Sequence, residues 1–254
     1  MAVGATPALQ TPQRQFRALP LRQRIRHPLY WSWVRFVAFG RAVPAVLFGY
    51  MGWLQVGHVR SDAAWASAHP NLSAVAGGLL PGCLYLLFCS IPVGLYLTRP
   101  MPQARDGRLV ARAAAFTGTL MQLLVGVLVP AGREVAVVPA AVRSAGTPLA
   151  LFAFSVAIYA MSHLRRNLSI IPEARKLTTT GPYRLVRHPL YFAEILAAVA
   201  LVLSAPYSTL LVALGVFIVM QNVRASFEER LLRATFSEYA AYAKRTRRLI
   251  PFVW

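Results

Sequence analysis

Residues 190–222 read LYFAEILAAVALVLSAPYSTLLVALGVFIVMQN and contain one charged side chain, Glu194. A helix crosses a bilayer with about 20 apolar residues, so this run is too long for one straight span. It is also too short for two full spans with a loop. The sequence SAPYS at 204–208 supplies turn-forming residues near the middle. The stretch therefore predicts a tight hairpin of two short membrane helices.

Four further apolar runs precede this hairpin, at 34–57, 74–97, 111–130 and 147–163. Backbone polar groups in lipid are satisfied only within helices or closed barrels, so each run predicts a helix. Only 14% of the 254 residues are charged, whereas soluble domains have about 25%. The predicted fold is all-α: a polytopic membrane helix bundle of about six transmembrane helices. An amphipathic segment at 226–244 is predicted to lie along the cytoplasmic surface.

The chain has a net charge of +19, and its basic residues alternate between connections. Segments 1–35, 98–112, 163–189 and 223–254 hold 6, 4, 6 and 7 Lys or Arg, whereas 58–75 and 131–146 hold 1 and 2. The positive-inside rule then places both termini in the cytoplasm. This distribution favours contact with membrane lipids over binding to nucleic acid. The near-exclusive use of Arg over Lys and the abundant Ala are typical of a GC-rich bacterial genome, so a multi-pass protein of the bacterial inner membrane is predicted.

Polar residues with chemical potential are concentrated near the C-terminus. Residues 175–191 read RKLTTTGPYRLVRHPLY, and Arg224 and Glu228 follow at a spacing of four, which puts both on one helix face. The pentapeptide RHPLY occurs twice, at 26–30 and 187–191. Pro suits a first helical turn, so the repeat by itself predicts only a shared way of starting a helix. Taken singly, these residues also fit juxtamembrane anchors and surface ion pairs.

The combined pattern is more specific. The run GPYRLVRHPLY, a hydrophobic hairpin and then EERLL with Phe236, Tyr239 and Tyr242 resemble the isoprenylcysteine carboxyl methyltransferases and the related phospholipid N-methyltransferases. The resemblance covers about 162–251. It implies a membrane-embedded methyltransferase that uses S-adenosylmethionine and acts on a lipophilic acceptor, either a prenylcysteine-type carboxylate or a lipid-like small molecule.

The resemblance also implies roles for individual residues. The implied cofactor-binding residues are Arg175, Lys176, Leu177, Thr178, Tyr183, His188, Pro189, Leu190, Tyr191 and Glu228. Arg224 is the implied catalytic residue on the substrate side, where it would neutralise a substrate carboxylate. The family commonly has Gly where Ala193 stands here. Its neighbour Glu194 is costly in lipid unless it faces a pocket, so it predicts a substrate feature particular to this chain.

The predicted organisation has three parts: a basic N-terminal arm at 1–28, transmembrane helices at 29–160 and the cofactor-binding methyltransferase region at 161–254. The 5 histidines show neither paired helical spacing nor cysteine partners, so no metal site is predicted. Two alternatives stay open on the residues. One is an NADPH-dependent enzyme like the sterol reductases, and the other is a lipid-binding membrane protein without chemistry.

Overall fold

The computed structural model describes residues 28–72, 75–131 and 138–251. The helices are α1 (Pro28–Arg35), α2 (Val43–Ala68), α3 (Leu80–Thr98), α4 (Leu109–Ala131), α5 (Ala140–Ser144), α6 (Gly146–Leu164), α7 (Pro189–Ser204), α8 (Ser208–Thr235) and α9 (Tyr239–Arg245). Short π-helical segments, Phe36–Ala42 and Val75–Leu79, lead directly into α2 and α3. The described residues also form two short strands, β1 (Ala104–Arg105) and β2 (Glu173–Ala174), and 3₁₀ turns at Arg165–Asn167 and Gly181–Arg184.

Most of the helical length is suited to a membrane. Tyr30–Ala68, Val75–Thr98, Ala140–Asn167 and Ser208–Thr235 are each long and apolar enough to cross one, and two shorter apolar helices, Leu109–Met121 and Pro189–Ser204, accompany them. Large apolar side chains such as Val46 and Trp53 are exposed on the outer surface, as contact with lipid tails requires. The all-α membrane bundle predicted from the sequence is confirmed, and each predicted run overlaps an apolar helix. The first of these helices continues past the predicted end at 57 to Ala68.

Small residues let the helices that carry the site approach closely. Helices α6 and α7 pack along each other through buried alanines, namely Ala153, Ala157, Ala160, Ala193 and Ala200. At one end of this seam, a Cβ on Gly146 would lie 2.7 Å from the Ala200 carbonyl oxygen. Close backbone approach at small residues is a common way of packing membrane helices, because lipid gives apolar faces little reason to associate.

The hairpin occurs where the sequence predicts it. Helix α7 ends at Ser204, and α8 begins at Ser208 after a short turn. The second arm differs from the expectation of a short span, because α8 continues without a break to Thr235. Residues 226–235 therefore extend the last membrane helix, and the separate C-terminal helix is limited to α9. The extension carries the Glu228–Glu229 pair on the same rigid rod as Arg224.

Two connections meet at the end of the bundle near the start of α7. Strand β1, between α3 and α4, pairs antiparallel with β2, between α6 and α7, with Arg105 opposite Glu173. Arg41, which lies in the π-helical segment, donates from its Nη2 to the Arg99 carbonyl at 2.6 Å. The bundle end is thus closed by backbone pairing and by arginine–carbonyl bonds.

The two RHPLY copies differ in what the structure describes. In the first copy, Pro28 begins α1, as the helix-start interpretation expects, whereas Arg26, His27 and nearly all of the predicted arm lie outside the described residues. In the second copy, Pro189 occupies the first turn of α7 and His188 is the residue that caps it. The contacts of the motif's histidine can therefore be followed only in the second copy.

Candidate active site

A tight turn delivers Tyr183 to the start of α7. Gly181 has φ +59°, a left-handed conformation that glycine adopts without a Cβ penalty. A Cβ at this position would also collide with the imidazole of His163. The turn buries Tyr183, where burial, the carboxylate of Glu228, Tyr242 and the carboxylate of Glu194 all raise the tyrosine pKa. The Tyr183 phenol therefore stays neutral and lies within electrostatic reach of both carboxylates.

The extreme C-terminal segment fastens the second RHPLY motif in place. The Arg187 amide donates to the Arg247 carbonyl at 2.8 Å, and the His188 amide donates to the Arg248 carbonyl at 3.1 Å. The Tyr242 hydroxyl of α9 donates to the Tyr183 carbonyl at 2.7 Å. The sequence predicted that the segment at 226–244 lies along the cytoplasmic surface. It did not predict the backbone pairing that the following residues, Arg247 and Arg248, make with the motif.

The two adjacent glutamates of α8 have different surroundings. Glu229 is the centre of an ion network: its Oε1 accepts from Arg187 Nε at 2.8 Å and lies 3.2 Å from His188 Nε2. Arg248 and Arg233 approach the same carboxylate at 3.6 Å. The Glu229 side chain is only 10% exposed. Glu229 thus joins α7, α8 and the C-terminal segment, a structural role that the sequence analysis did not assign to it.

Glu228 faces a more open space beside aromatic rings. Its Oε2 accepts from the Tyr191 hydroxyl at 2.9 Å and lies 3.8 Å from His188 Nδ1. The His188 and Tyr191 rings are parallel, with centroids 5.3 Å apart. The Glu228 side chain is 33% exposed, so its carboxylate retains room for another partner. An exposed carboxylate next to a flat aromatic pair is suited to a cationic group.

Arg224 lies on the other side of Tyr191. Its guanidinium stacks over the Tyr191 ring at 4.8 Å, so this one tyrosine bridges Arg224 and Glu228. The residue is 5% exposed, and Nη1 donates to the Gln221 Oε1 at 2.7 Å. The predicted common face of Arg224 and Glu228 is thereby observed. Gln221, which is fully buried, was missed because an amide inside an apolar helix carries no motif.

Glu194 faces inward, as its cost in lipid predicts. It accepts a hydrogen bond from the Gln221 amide, and its Oε2 lies 3.9 Å from Arg224 Nη1. It lines a cavity of about 30 Å³ together with Tyr191 and Arg224, which is room for about one water molecule. It also lines a second cavity of about 590 Å³ between the membrane helices.

Arg175 belongs to a neighbouring buried cluster around Glu173. The Glu173 carboxylate lies 3.3 Å from Arg99 Nη1 and 2.7 Å from both Arg105 Nη2 and Arg175 Nη2. Burial raises the Glu173 pKa, but the guanidiniums of Arg175 and Arg99 outweigh it, so that the pKa lies below its ordinary value. The same connection, just before Glu173, also contacts Arg224: the Ile170 carbonyl accepts a hydrogen bond from Arg224 Nη2 at 3.4 Å.

The remaining predicted cofactor residues divide by exposure. Lys176 is exposed, while Leu177 and Thr178 are half-buried, and the Thr178 hydroxyl accepts from Asn167 Nδ2 at 3.0 Å. Pro189 and Leu190 are buried in the first turn of α7. The structure therefore brings Tyr183, His188, Tyr191, Arg224 and Glu228 into one cluster. It places Arg175 in the adjacent ion network.

The residues of this cluster lie in a segment whose sequence matches a known family. Residues 142–239 match the sequence profile of the phospholipid methyltransferase family. The match confirms the resemblance of the C-terminal part. The matched segment, which we call the methyltransferase-family region, begins in α5 and ends at the first residue of α9. It contains Tyr183, His188, Tyr191, Arg224 and Glu228, which we call the Tyr191 cluster.

Two curated proteins share part of this sequence. The chain is 36% identical over 76 residues to the cobalt-zinc-cadmium resistance protein CzcN of Cupriavidus metallidurans. It is 35% identical over 80 residues to the nickel-cobalt-cadmium resistance protein NccN of Alcaligenes xylosoxydans xylosoxydans. These matches cover 30% and 31% of this chain and 35% and 38% of the two relatives. Within 28–72, 75–131 and 138–251, no three His, Cys, Asp or Glu residues are grouped as metal ligands.

The Glu173 cluster makes a pH-dependent contribution to stability. Because the folded-state pKa of Glu173 lies below its ordinary value of about 4.5, its ion pairs stabilise the fold fully above that pH and are lost as pH falls through the lower value. Glu173→Gln should destabilise the protein by about 3–5 kcal/mol near neutral pH, as breaking a buried pair does. Thermal unfolding at about pH 7 and about pH 3.5 should show the gap to the wild type shrinking in acid. If the difference between wild type and variant is the same at both pH values, the ionised Glu173 carboxylate does not make this contribution to stability.

Proposed function

We propose that this protein transfers the methyl group of S-adenosylmethionine to a lipophilic acceptor at the Tyr191 cluster. One observation carries the proposal: within the methyltransferase-family region, Tyr191 stacks on His188, contacts Arg224 and donates to Glu228. Cationic, anionic and aromatic groups thus converge at one end of two membrane helices. The cofactor and the class of acceptor are parts of this proposal.

The cluster has complementary groups for the cofactor, which carries an ammonium, a carboxylate, a sulfonium and a purine. Glu228 has a third of its side chain exposed and would hold the ammonium. The buried Nη1 of Arg175 has no hydrogen-bond partner among the described residues, and an unsatisfied buried donor costs about 1–3 kcal/mol. A ligand carboxylate would remove that cost. The Tyr183, His188 and Tyr191 rings would face the cationic and aromatic parts.

The chemistry would be a direct displacement at the methyl carbon, for which the protein mainly supplies positioning. When bound, S-adenosylmethionine supplies a methyl group on a positively charged sulfur. The neutral thioether that forms when the methyl–sulfur bond breaks is a good leaving group. The protein must orient the acceptor and exclude water. Tyr191 is held between Arg224 and Glu228 and would form one wall of the site. The C-terminal segment packs beside His188, because the Arg248 carbonyl accepts a hydrogen bond from the His188 amide.

The acceptor would come from the membrane and the cofactor from the cytoplasm. The connections that carry the cluster are the basic ones, so the positive-inside rule favours a cytoplasmic site with both termini on the same side. We propose the inner membrane of a bacterium as its location. A membrane lipid or another lipophilic molecule would then enter between helices, while the cofactor would approach from the aqueous end.

Cofactor affinity tests this proposal directly. Glu228→Gln should weaken binding of S-adenosylhomocysteine to the purified protein about 30-fold or more, since losing one partner of a desolvated charge pair costs about 2–5 kcal/mol. The adjacent substitution Glu229→Gln is the matched control, because Glu229 serves the ion network. It should lower the unfolding temperature more and the affinity less. Isothermal titration and thermal unfolding measure the two effects.

NADPH in the same titration separates hydride transfer from methyl transfer. Binding of NADPH with no binding of S-adenosylmethionine or S-adenosylhomocysteine would replace this proposal by a reductase activity. Binding of none of the three to a folded protein would leave a lipid-binding protein. Unchanged affinity in a folded Glu228→Gln variant would remove that carboxylate from the cofactor site.

Orientation is tested by labelling single introduced cysteines in intact cells. Ala145 and Thr179 are both exposed and lie in connections that the charge pattern assigns to opposite sides of the membrane. A membrane-impermeant maleimide added from outside should label Ala145→Cys and spare Thr179→Cys until the cells are broken. The wild type, with Cys83 and Cys89 in α3, gives the background. Labelling of both variants from outside would contradict the proposed topology.

A further inference from the structure

A large, half-open cavity lies between the membrane helices. Its volume is about 590 Å³, and α2, α3, α6, α7 and α8 contribute to its walls, a size within the roughly 300–1,000 Å³ usual for ligand pockets. The lining is mainly apolar, with Leu54, Phe154 and Phe217 among the largest side chains. Along α7 it extends from Glu194 to Ser204, which is about 15 Å at the rise of a helix. We call it the apolar chamber.

Glu194 is the point where the apolar chamber meets the Tyr191 cluster. It lines both the chamber and the small cavity beside Tyr191 and Arg224. A molecule whose apolar body filled the chamber would therefore present its head group to Glu194, next to the site of chemistry.

The charges at this inner end are already compensated. The Gln221 amide connects the two ions, since it donates to Glu194 and accepts from Arg224 Nη1 at 2.7 Å. Arg224 Nη1 lies 3.9 Å from the Glu194 carboxylate. The negative charge of Glu194 therefore offsets the positive charge of Arg224 on the side that faces the chamber. An incoming carboxylate would meet the like charge of Glu194, whereas a head that donates a hydrogen bond would meet an acceptor.

We propose that the apolar chamber binds the methyl acceptor and that Glu194 selects acceptors whose nucleophilic atom bears a proton and no negative charge. As that atom bonds to the methyl carbon, the methyl–sulfur bond would break, S-adenosylhomocysteine would leave, and the proton would pass to the Glu194 carboxylate. Hydroxyl, thiol and amine heads share this chemistry, and carboxylates lack it. The inference rests on the proposed methyl transfer for the meaning of acceptor. The chamber and its selectivity are nevertheless properties of the free protein. Glu194 acts here as a specificity-determining residue, through its charge and its capacity to accept a hydrogen bond.

Binding of three matched probes tests the proposal without any cofactor. The probes are para-nonylphenol, para-nonylaniline and para-nonylbenzoate, which share one apolar body and differ in the head. They are titrated at neutral pH against protein in lipid nanodiscs, with empty nanodiscs subtracted. The wild type should bind the phenol and the aniline at least tenfold more tightly than the benzoate. In Glu194→Gln, which keeps the size and removes the charge, the benzoate should gain about tenfold.

Two further variants locate the effect. Ala198→Phe, which places a large ring in the chamber wall, should weaken all three probes alike. The exposed Glu238→Gln in the turn before α9 removes one carboxylate elsewhere and should change none of them. Equal affinities for the three heads in the wild type would overturn the proposal, even if Glu194→Gln failed to fold. Unchanged selectivity in a folded Glu194→Gln, or full binding in Ala198→Phe, would overturn it as well.

S-adenosylhomocysteine binding in the same preparations keeps the two proposals apart. If the head-group preference holds and the cofactor analogue does not bind, the chamber is a selective lipid site and methyl transfer fails. If the analogue binds and the preference is absent, methyl transfer stands and the role of Glu194 fails. Neither result can be mistaken for the other.

Discussion

A guanidinium buried inside an apolar helix bundle must be compensated, and the geometry of this protein is organised around that requirement at Arg224. Charges in a membrane interior are costly unless they are paired and hydrogen-bonded. Here the Tyr191 ring, the Gln221 amide and the Ile170 carbonyl surround Arg224. These partners come from α7, α8 and the connection between α6 and α7. Satisfying one cation therefore fixes the mutual position of the elements that form the cluster.

A second set of charges closes the cluster from the aqueous end. Glu229 is shared by Arg187, His188 and Arg248, and the backbone of the C-terminal segment pairs with the second RHPLY motif. Because these contacts hold His188 on one side, Glu228 is left with the Tyr191 hydroxyl as a neutral partner. The two adjacent glutamates therefore differ: Glu229 serves the ion network, and Glu228 is the carboxylate that we propose for the cofactor ammonium.

The sequence predicts the helices well because the lengths of apolar runs are set by the bilayer. It also predicts the grouping of Tyr191, Arg224 and Glu228, since helical spacing and a hairpin suffice for it. It does not predict that α8 continues past residue 226, because a polar helix end resembles a surface helix in sequence. Gln221 and the partners of Glu173 stay hidden for a different reason. Their importance arises from pairing across distant segments, which no local pattern records.

If the second RHPLY motif belongs to a cofactor site, it does more than start a helix. The chain provides its own control, because the same five residues occur at 26–30. The decisive measurement is S-adenosylhomocysteine affinity for purified His188→Ala and His27→Ala, with unfolding temperatures recorded for both. We expect the affinity to fall about tenfold or more in His188→Ala, which corresponds to the loss of about 1.4 kcal/mol of binding free energy. We expect no change of affinity in His27→Ala. Equal affinities in the two folded variants would contradict it.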